Sequence, residues 1–182
     1  MIKTIGLAAL FVLVCLNFSC GFTLQCGSIS SGPMNNISLD ELRNNSDHWN
    51  EWENAEALKN KVKQLANVSG TYHDYIENEY DCNDMAVDIW NMLEVSEPVP
   101  IQSIIVVGNL DEEKESFEDC NHAWLVILNK PDGGVVTIYA LEPTNTEIYK
   151  YTGTDNSSTA KYFEGFFYEK PSDLRTDLGD RW

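Results

Sequence analysis

Along this chain the spacing of apolar residues changes period several times, and each change marks an element. Ser38-Leu39-Asp40-Glu41 has the Ser-x-x-Glu spacing of a capping box, in which each side chain meets the other's unpaired backbone N–H, and it predicts a short helix. From about Asn50 to Ala66, Trp52, Ala55, Leu58, Val62 and Leu65 recur every three or four residues, the mark of a helix with one face packed on the core. A second helix is predicted over about Cys82 to Leu93. There Cys82, Met85, Ala86, Ile89, Trp90 and Leu93 form a buried stripe, Asp81 stands at the N-cap and Asp84 follows three residues on. Between the two helices, Asn67 to Tyr80 is polar and broken by Gly70. Its Tyr72, Tyr75 and Tyr80 either line a cleft or cap the core with their hydroxyls in water.

After Pro98 and Pro100 the period falls to that of strands. Ile101 to Val107 reads as a strand ended by Gly108, and Leu110 to Cys120 as a solvated acidic loop without an EF-hand glycine. Asn121 to Thr144 then gives two β-branched and aromatic runs around Lys-Pro-Asp-Gly-Gly, a β-hairpin in which Pro131 presets φ and Gly133 and Gly134 supply positive φ. With a loop of Lys130 to Gly134, Asn129 faces Val135 and His122 faces Glu142, side chains on one face and Cβ atoms about 5 Å apart. Thr146 to Thr152 predicts a further antiparallel strand, Asp155 to Ser158 a turn, and Tyr162 to Tyr168 an edge strand or lid. Past Lys170 no element is predicted.

Composition adds compartment and partner class. At 182 residues the chain can bury one sizeable core, and its net charge of −17 repels nucleic acid, for which no counterion-release gain exists. Lys3 followed by the apolar run Ile5 to Leu16 predicts an export leader over 1–20, too short to span a bilayer. Ser19-Cys20-Gly21 offers a lipid-attachment cysteine and thus a membrane tether, with simple cleavage as the alternative. Residues 21–37 read as a flexible arm and 38–182 as a single domain on an extracellular or cell-surface protein. Sequons stand at Asn36, Asn44, Asn67 and Asn156. Of Cys26, Cys82 and Cys120, an odd set in an oxidising compartment, Cys26 and Cys120 are expected to pair and leave Cys82 as a thiol; a Cys82–Cys120 bridge is the alternative.

A histidine beside a carboxylate is an oriented base, and Cys82, on the inward face at a helix start, is a candidate for the nucleophile it would serve. The helix end and His122 favour the thiolate; Asp81 and Asp84 oppose it unless Asp81 turns to the backbone and Asp84 to solvent. The three pieces, Tyr80-Asp81-Cys82-Asn83-Asp84-Met85-Ala86, Asn121-His122-Ala123-Trp124 and Ala140-Leu141-Glu142-Pro143-Thr144, resemble the core of the transglutaminase-like cysteine protein superfamily. The resemblance covers roughly 75–145 and implies an α+β fold, helices packed on an antiparallel sheet of about four or five strands, with the nucleophile at a helix N-terminus. It implies Cys82 as nucleophile, His122 as general base and Glu142, where Asp is usual, as the orienting acid. The implied function is amide or peptide hydrolysis, or acyl transfer, through a Cys82 thioester on a protein or peptide substrate, with no cofactor and no metal. The rival reading is a non-catalytic binding or structural module on the same fold. A metal site from Cys82, Cys120, His122 and Glu142 is a third, suggested by Cys-x-His on one strand face.

Overall fold

The structure, a computed structural model, describes residues 38–45, 47–69, 81–111, 116–153 and 159–179. The expected leader and arm, Cys20, Cys26, the sequons at Asn36 and Asn156, the tyrosines at 72, 75 and 80, the Asp155–Ser158 turn and residues 112–115 of the acidic loop lie outside them. Within them the fold is α+β. The helices are α1 (Leu39–Asn45), α2 (Ala55–Ser69), α3 (Cys82–Glu94) and α4 (Pro171–Leu178). The strands are β1 (Trp49–Asn50), β2 (Ile104–Gly108), β3 (His122–Asn129), β4 (Thr137–Leu141), β5 (Ile148–Lys150) and β6 (Phe166–Tyr168).

The sheet runs β5-β4-β3-β2-β6 with antiparallel neighbours, and β1 adds a short parallel pairing to the end of β3. That makes six strands among the described residues, against the four or five expected. Helices α2, α3 and α4 cover one face through Leu58, Val62, Ala86, Ile89, Leu93 and Leu174. The other face is covered by Leu42 of α1, Phe163 and several partly buried aromatics. Because both faces are dry, β2 and β4 are buried at every residue and β3 at all but His122, so the strands read as continuous apolar runs rather than alternating ones.

The structure departs from the expected elements in these respects. Helix α2 starts at Ala55, not near Asn50. Asn54 caps it, its Oδ1 accepting from the amides of Glu56 and Ala57 at 3.1 Å each, while Asn50 is drawn into the sheet. The acidic loop is not wholly solvated, since Phe117 is buried edge-on against Phe166, ring centroids 5.3 Å apart. Helix α4 was not predicted. It has Pro171 at its start and buries Leu174 and Leu178, two apolar contacts in eight residues, too few for a period to emerge.

β1 is held by side-chain amides. Asn50 Nδ2 donates to the carbonyls of Gln102 at 2.8 Å and Leu128 at 2.9 Å, and its Oδ1 accepts from the Gln102 amide at 2.9 Å. Asn129 pairs with the backbone of Trp52 in both directions, at 2.9 and 3.0 Å. Asn50→Ala leaves three backbone groups unpaired in a buried place and is expected to cost about 3 kcal/mol by urea denaturation. Asn44→Ala, at an exposed position, is expected to stay within about 0.5 kcal/mol of the wild type.

Candidate active site

Cys82 opens α3 because the residues around it form a capping box. Asp81 Oδ1 accepts from the Asn83 amide at 2.9 Å and the Asp81 side chain also takes the Asp84 amide, while Asp84 Oδ2 accepts from the Asp81 amide at 3.4 Å. Asp84 thus folds back onto the helix end rather than turning to solvent as expected. Burial, and after it the charges of Asp81 and Asp88, raise the Asp84 carboxyl above its ordinary value against the pull of that amide. The Met85 amide reaches the Asp81 carbonyl at 3.0 Å. The Cys82 N–H is then the first-turn amide with no partner among the described residues, a donor aimed out of the helix end beside its own thiol.

His122 begins β3 and Glu142 follows β4 directly. The β3–β4 register is Asn129 to Thr137 and Leu125 to Leu141, so the loop is seven residues, 130–136, and His122 is not directly opposite Glu142. The sequence expectation was two residues short. The Lys130 amide donates to the Asn50 carbonyl at 2.8 Å, so β1 takes that end of β3, and Val135 and Val136 stay exposed in the loop. Gly133 alone of the two glycines has positive φ. A slip of two preserves the face of every side chain, because the strand period is two. Carried one step on, the register sets Glu142 beside Trp124, with His122 on the diagonal, about 7–8 Å away between backbones. The longer glutamate closes that diagonal: His122 Nε2 donates to Glu142 Oε2 at 2.7 Å.

Glu142 is 3% exposed and its carboxylate has four donors. Oε1 accepts from the Thr144 amide at 3.1 Å and the Thr144 hydroxyl at 2.7 Å; Oε2 accepts from His122 and, at 3.1 Å, from the Tyr162 hydroxyl. All of its lone-pair directions are used. Burial alone would raise its pKa, yet the hydrogen bond and charge of His122, with the two hydrogen bonds of Thr144, hold it below the ordinary carboxylate range. The turn that delivers Thr144 is itself clamped. Thr146 sits at a left-handed φ of 58°, a conformation β-branched residues avoid, and its hydroxyl donates to Asn67 Oδ1 of α2 at 2.7 Å.

With Nε2 held by Glu142, Nδ1 is the ring nitrogen left for Cys82. Burial pulls the imidazolium pKa down, but hydrogen bonds to Cys82 and Glu142 and the charges of both outweigh it and raise His122 from 6.5 to about 9. The structure thus brings Cys82, His122 and Glu142 together. Cys82 carries no disulfide to Cys120, and Cys120 is drawn away, its thiol reaching the Ser116 carbonyl at 3.8 Å; the expected partner, Cys26, lies outside the described residues. Among the described residues no group of three or more His, Cys, Asp and Glu side chains is placed to hold a metal. Tyr162, whose hydroxyl completes the carboxylate, carried no local signal in the sequence. Clefts of about 480 and 620 Å³ lie around Trp49, at the opposite end of β3, and hold none of the three residues.

No family model and no curated protein matches the chain. Two solved structures are distantly similar. The Polyporus squamosus lectin bound to a human-type influenza-binding epitope has 14% identity and a TM-score of 0.38 over 60% of this chain and 36% of that one. The PSL1a-E64 complex has 15% identity and a TM-score of 0.40 over 59% and 36%. The chain therefore matches about a third of the length of either.

Two measurements test this geometry. A raised His122 pKa stabilises the fold fully below pH 6.5 and ceases to do so as pH rises through about 9. A lowered Glu142 pKa stabilises above 4.5 and ceases to do so as pH falls through its folded value. Stability from this pair is therefore expected to be greatest between those limits and to fall on the alkaline side by roughly 3 kcal/mol; the alkaline slope should vanish in His122→Ala. Glu142→Asp retains the charge but is one methylene short of the diagonal. Its His122 NMR titration midpoint should drop as far as in Glu142→Gln, and a midpoint kept near 9 would refute the diagonal geometry.

Proposed function

We propose that the protein is an exported, transglutaminase-like cysteine enzyme that hydrolyses amide or peptide bonds, or transfers their acyl group, through a thioester on Cys82. The observation that carries the reading is the relation among the three residues: His122 is held by a fully bonded carboxylate at 2.7 Å on one nitrogen, and Cys82 with Glu142 raises its pKa to about 9. The reaction follows from those positions. His122 takes the thiol proton, the Cys82 sulfur attacks the substrate carbonyl, and the oxyanion that forms meets the Cys82 N–H at the positive end of α3. The intermediate collapses when the imidazolium protonates the departing amine, leaving the thioester. Water or a second amine, deprotonated by His122, then attacks the thioester and releases the thiol. Glu142 accepts the Nε2 proton in a hydrogen bond throughout, fixing the ring so that Nδ1 exchanges protons with sulfur. The acidic capping carboxylates Asp81 and Asp84 are each engaged by helix amides.

A second reading is favoured by the 7% exposure of Cys82: a non-catalytic binding or structural module on the same fold, its thiol serving as a small core residue.

Alkylation separates the two. At pH 6, iodoacetamide is expected to modify Cys82 at least about tenfold faster than free cysteine, as an imidazolium-paired thiolate is, read by peptide mass spectrometry. His122→Ala should abolish the advantage with the circular dichroism spectrum unchanged. Equal rates for the wild type and free cysteine would establish the module reading instead.

A further inference from the structure

Glu142 is oriented by more than the residue it orients. The Tyr162 hydroxyl donates to Oε2, the same oxygen that receives His122 Nε2, from a 3₁₀ turn of residues Ala160–Phe163 twenty positions down the chain. Tyr162 is in turn fixed on three sides. The Trp124 indole Nε1 donates to its carbonyl at 2.7 Å and packs edge-on against its ring, with centroids 5.7 Å apart. Tyr149 of β5 stacks on its other side, centroids 4.4 Å apart and planes inclined by 25°. Trp124 also stacks on the His122 ring, with centroids 5.9 Å apart. One indole therefore spaces the phenol and the imidazole, and the two place their protons on one carboxylate oxygen.

We propose that Tyr162 is a positioning residue for the Cys82–His122–Glu142 site, its hydroxyl locking the Glu142 carboxylate in the rotamer that meets His122 across the strand diagonal. The proposal rests on the reading of that site given above. Geometry makes a lock necessary. A directly opposite pair would meet in several rotamers, whereas a diagonal contact at 2.7 Å requires the glutamate side chain to be extended toward His122. Thr144 fixes Oε1 from the carboxylate's own turn, which leaves rotation about the bonds nearer the backbone to be stopped at Oε2. Tyr162 is suited to the task because it stays protonated: burial, then the charge of Glu142, push its pKa far above the ordinary tyrosine range, so it remains a donor wherever the chain is folded.

The test is Tyr162→Phe, which keeps the ring stacks and the backbone carbonyl that Trp124 uses. The His122 titration is followed by ¹⁵N NMR in the full chain, with its signal assigned against His122→Ala. If the hydroxyl positions Glu142, the His122 midpoint falls from about 9 by about one pH unit, the size of a weakened charge-assisted hydrogen bond, and the alkaline limit of Cys82 alkylation moves with it. An unchanged midpoint, with or without a lower Tm, would make Tyr162 a packing residue only and overturn the proposal. A raised midpoint would overturn it as well, because it would show that the phenol competes with His122 for Oε2. A wild-type Cys82 that alkylates no faster than free cysteine would end the enzyme reading yet leave the titration free to decide the role of Tyr162.

Discussion

A carboxylate buried to 3% exposure costs several kcal/mol unless donors replace its lost water, and two of the four donors to Glu142 come from well beyond its own turn. β3 brings His122, the segment after β4 brings Thr144, and the turn before β6 brings Tyr162. Through His122 the requirement extends to the start of α3. The ends of elements on both faces of the sheet therefore converge on one ion, and that convergence sets a thiol close to an imidazole. The sheet supplies what a buried charge needs most, a dry and rigid surround in which four hydrogen bonds keep fixed directions.

The site was more legible in the sequence than the backbone that builds it. Cys82 at the head of α3 followed from a six-residue apolar stripe and an Asp-x-x-Asp cap, both local signals. The pairing of His122 with Glu142 survived a register error because the error was an even number of residues. What set the true register, the capture of Lys130 by β1, is a contact between positions eighty residues apart, and nothing in the Lys-Pro-Asp-Gly-Gly turn announces it. β1 itself is two residues long and was lost in the helical period that follows. Tyr162 was visible only as part of an aromatic run, since a phenol's value at a buried carboxylate depends on a distance that spacing alone does not encode. The same holds for Asp84, whose turn back to the Asp81 amide decides where two acids stand around Cys82.

The placement of strain agrees with this picture. Thr146 holds a left-handed backbone at a cost of about 1–3 kcal/mol, and it does so in the turn whose Thr144 grips the Glu142 carboxylate. Asn67 of α2 meets its hydroxyl, so a helix that contributes none of Cys82, His122 and Glu142 still sets the shape of the loop that grips the carboxylate.

The same central strand has another side to its character. Ala123 to Leu128, Ala-Trp-Leu-Val-Ile-Leu, carries no charge, proline or glycine, the composition that stacks into cross-β fibrils when it is left unpaired. In the fold β4 pairs it from Leu125 on and β2 pairs its other side up to Val126, with β1 taking over at Leu128. The strands left at the margins, β5 and β6, are three residues each, too short to template a partner. The three bonds that Asn50 makes to hold β1 are thus also what keeps the last two residues of this strand closed to a neighbouring molecule.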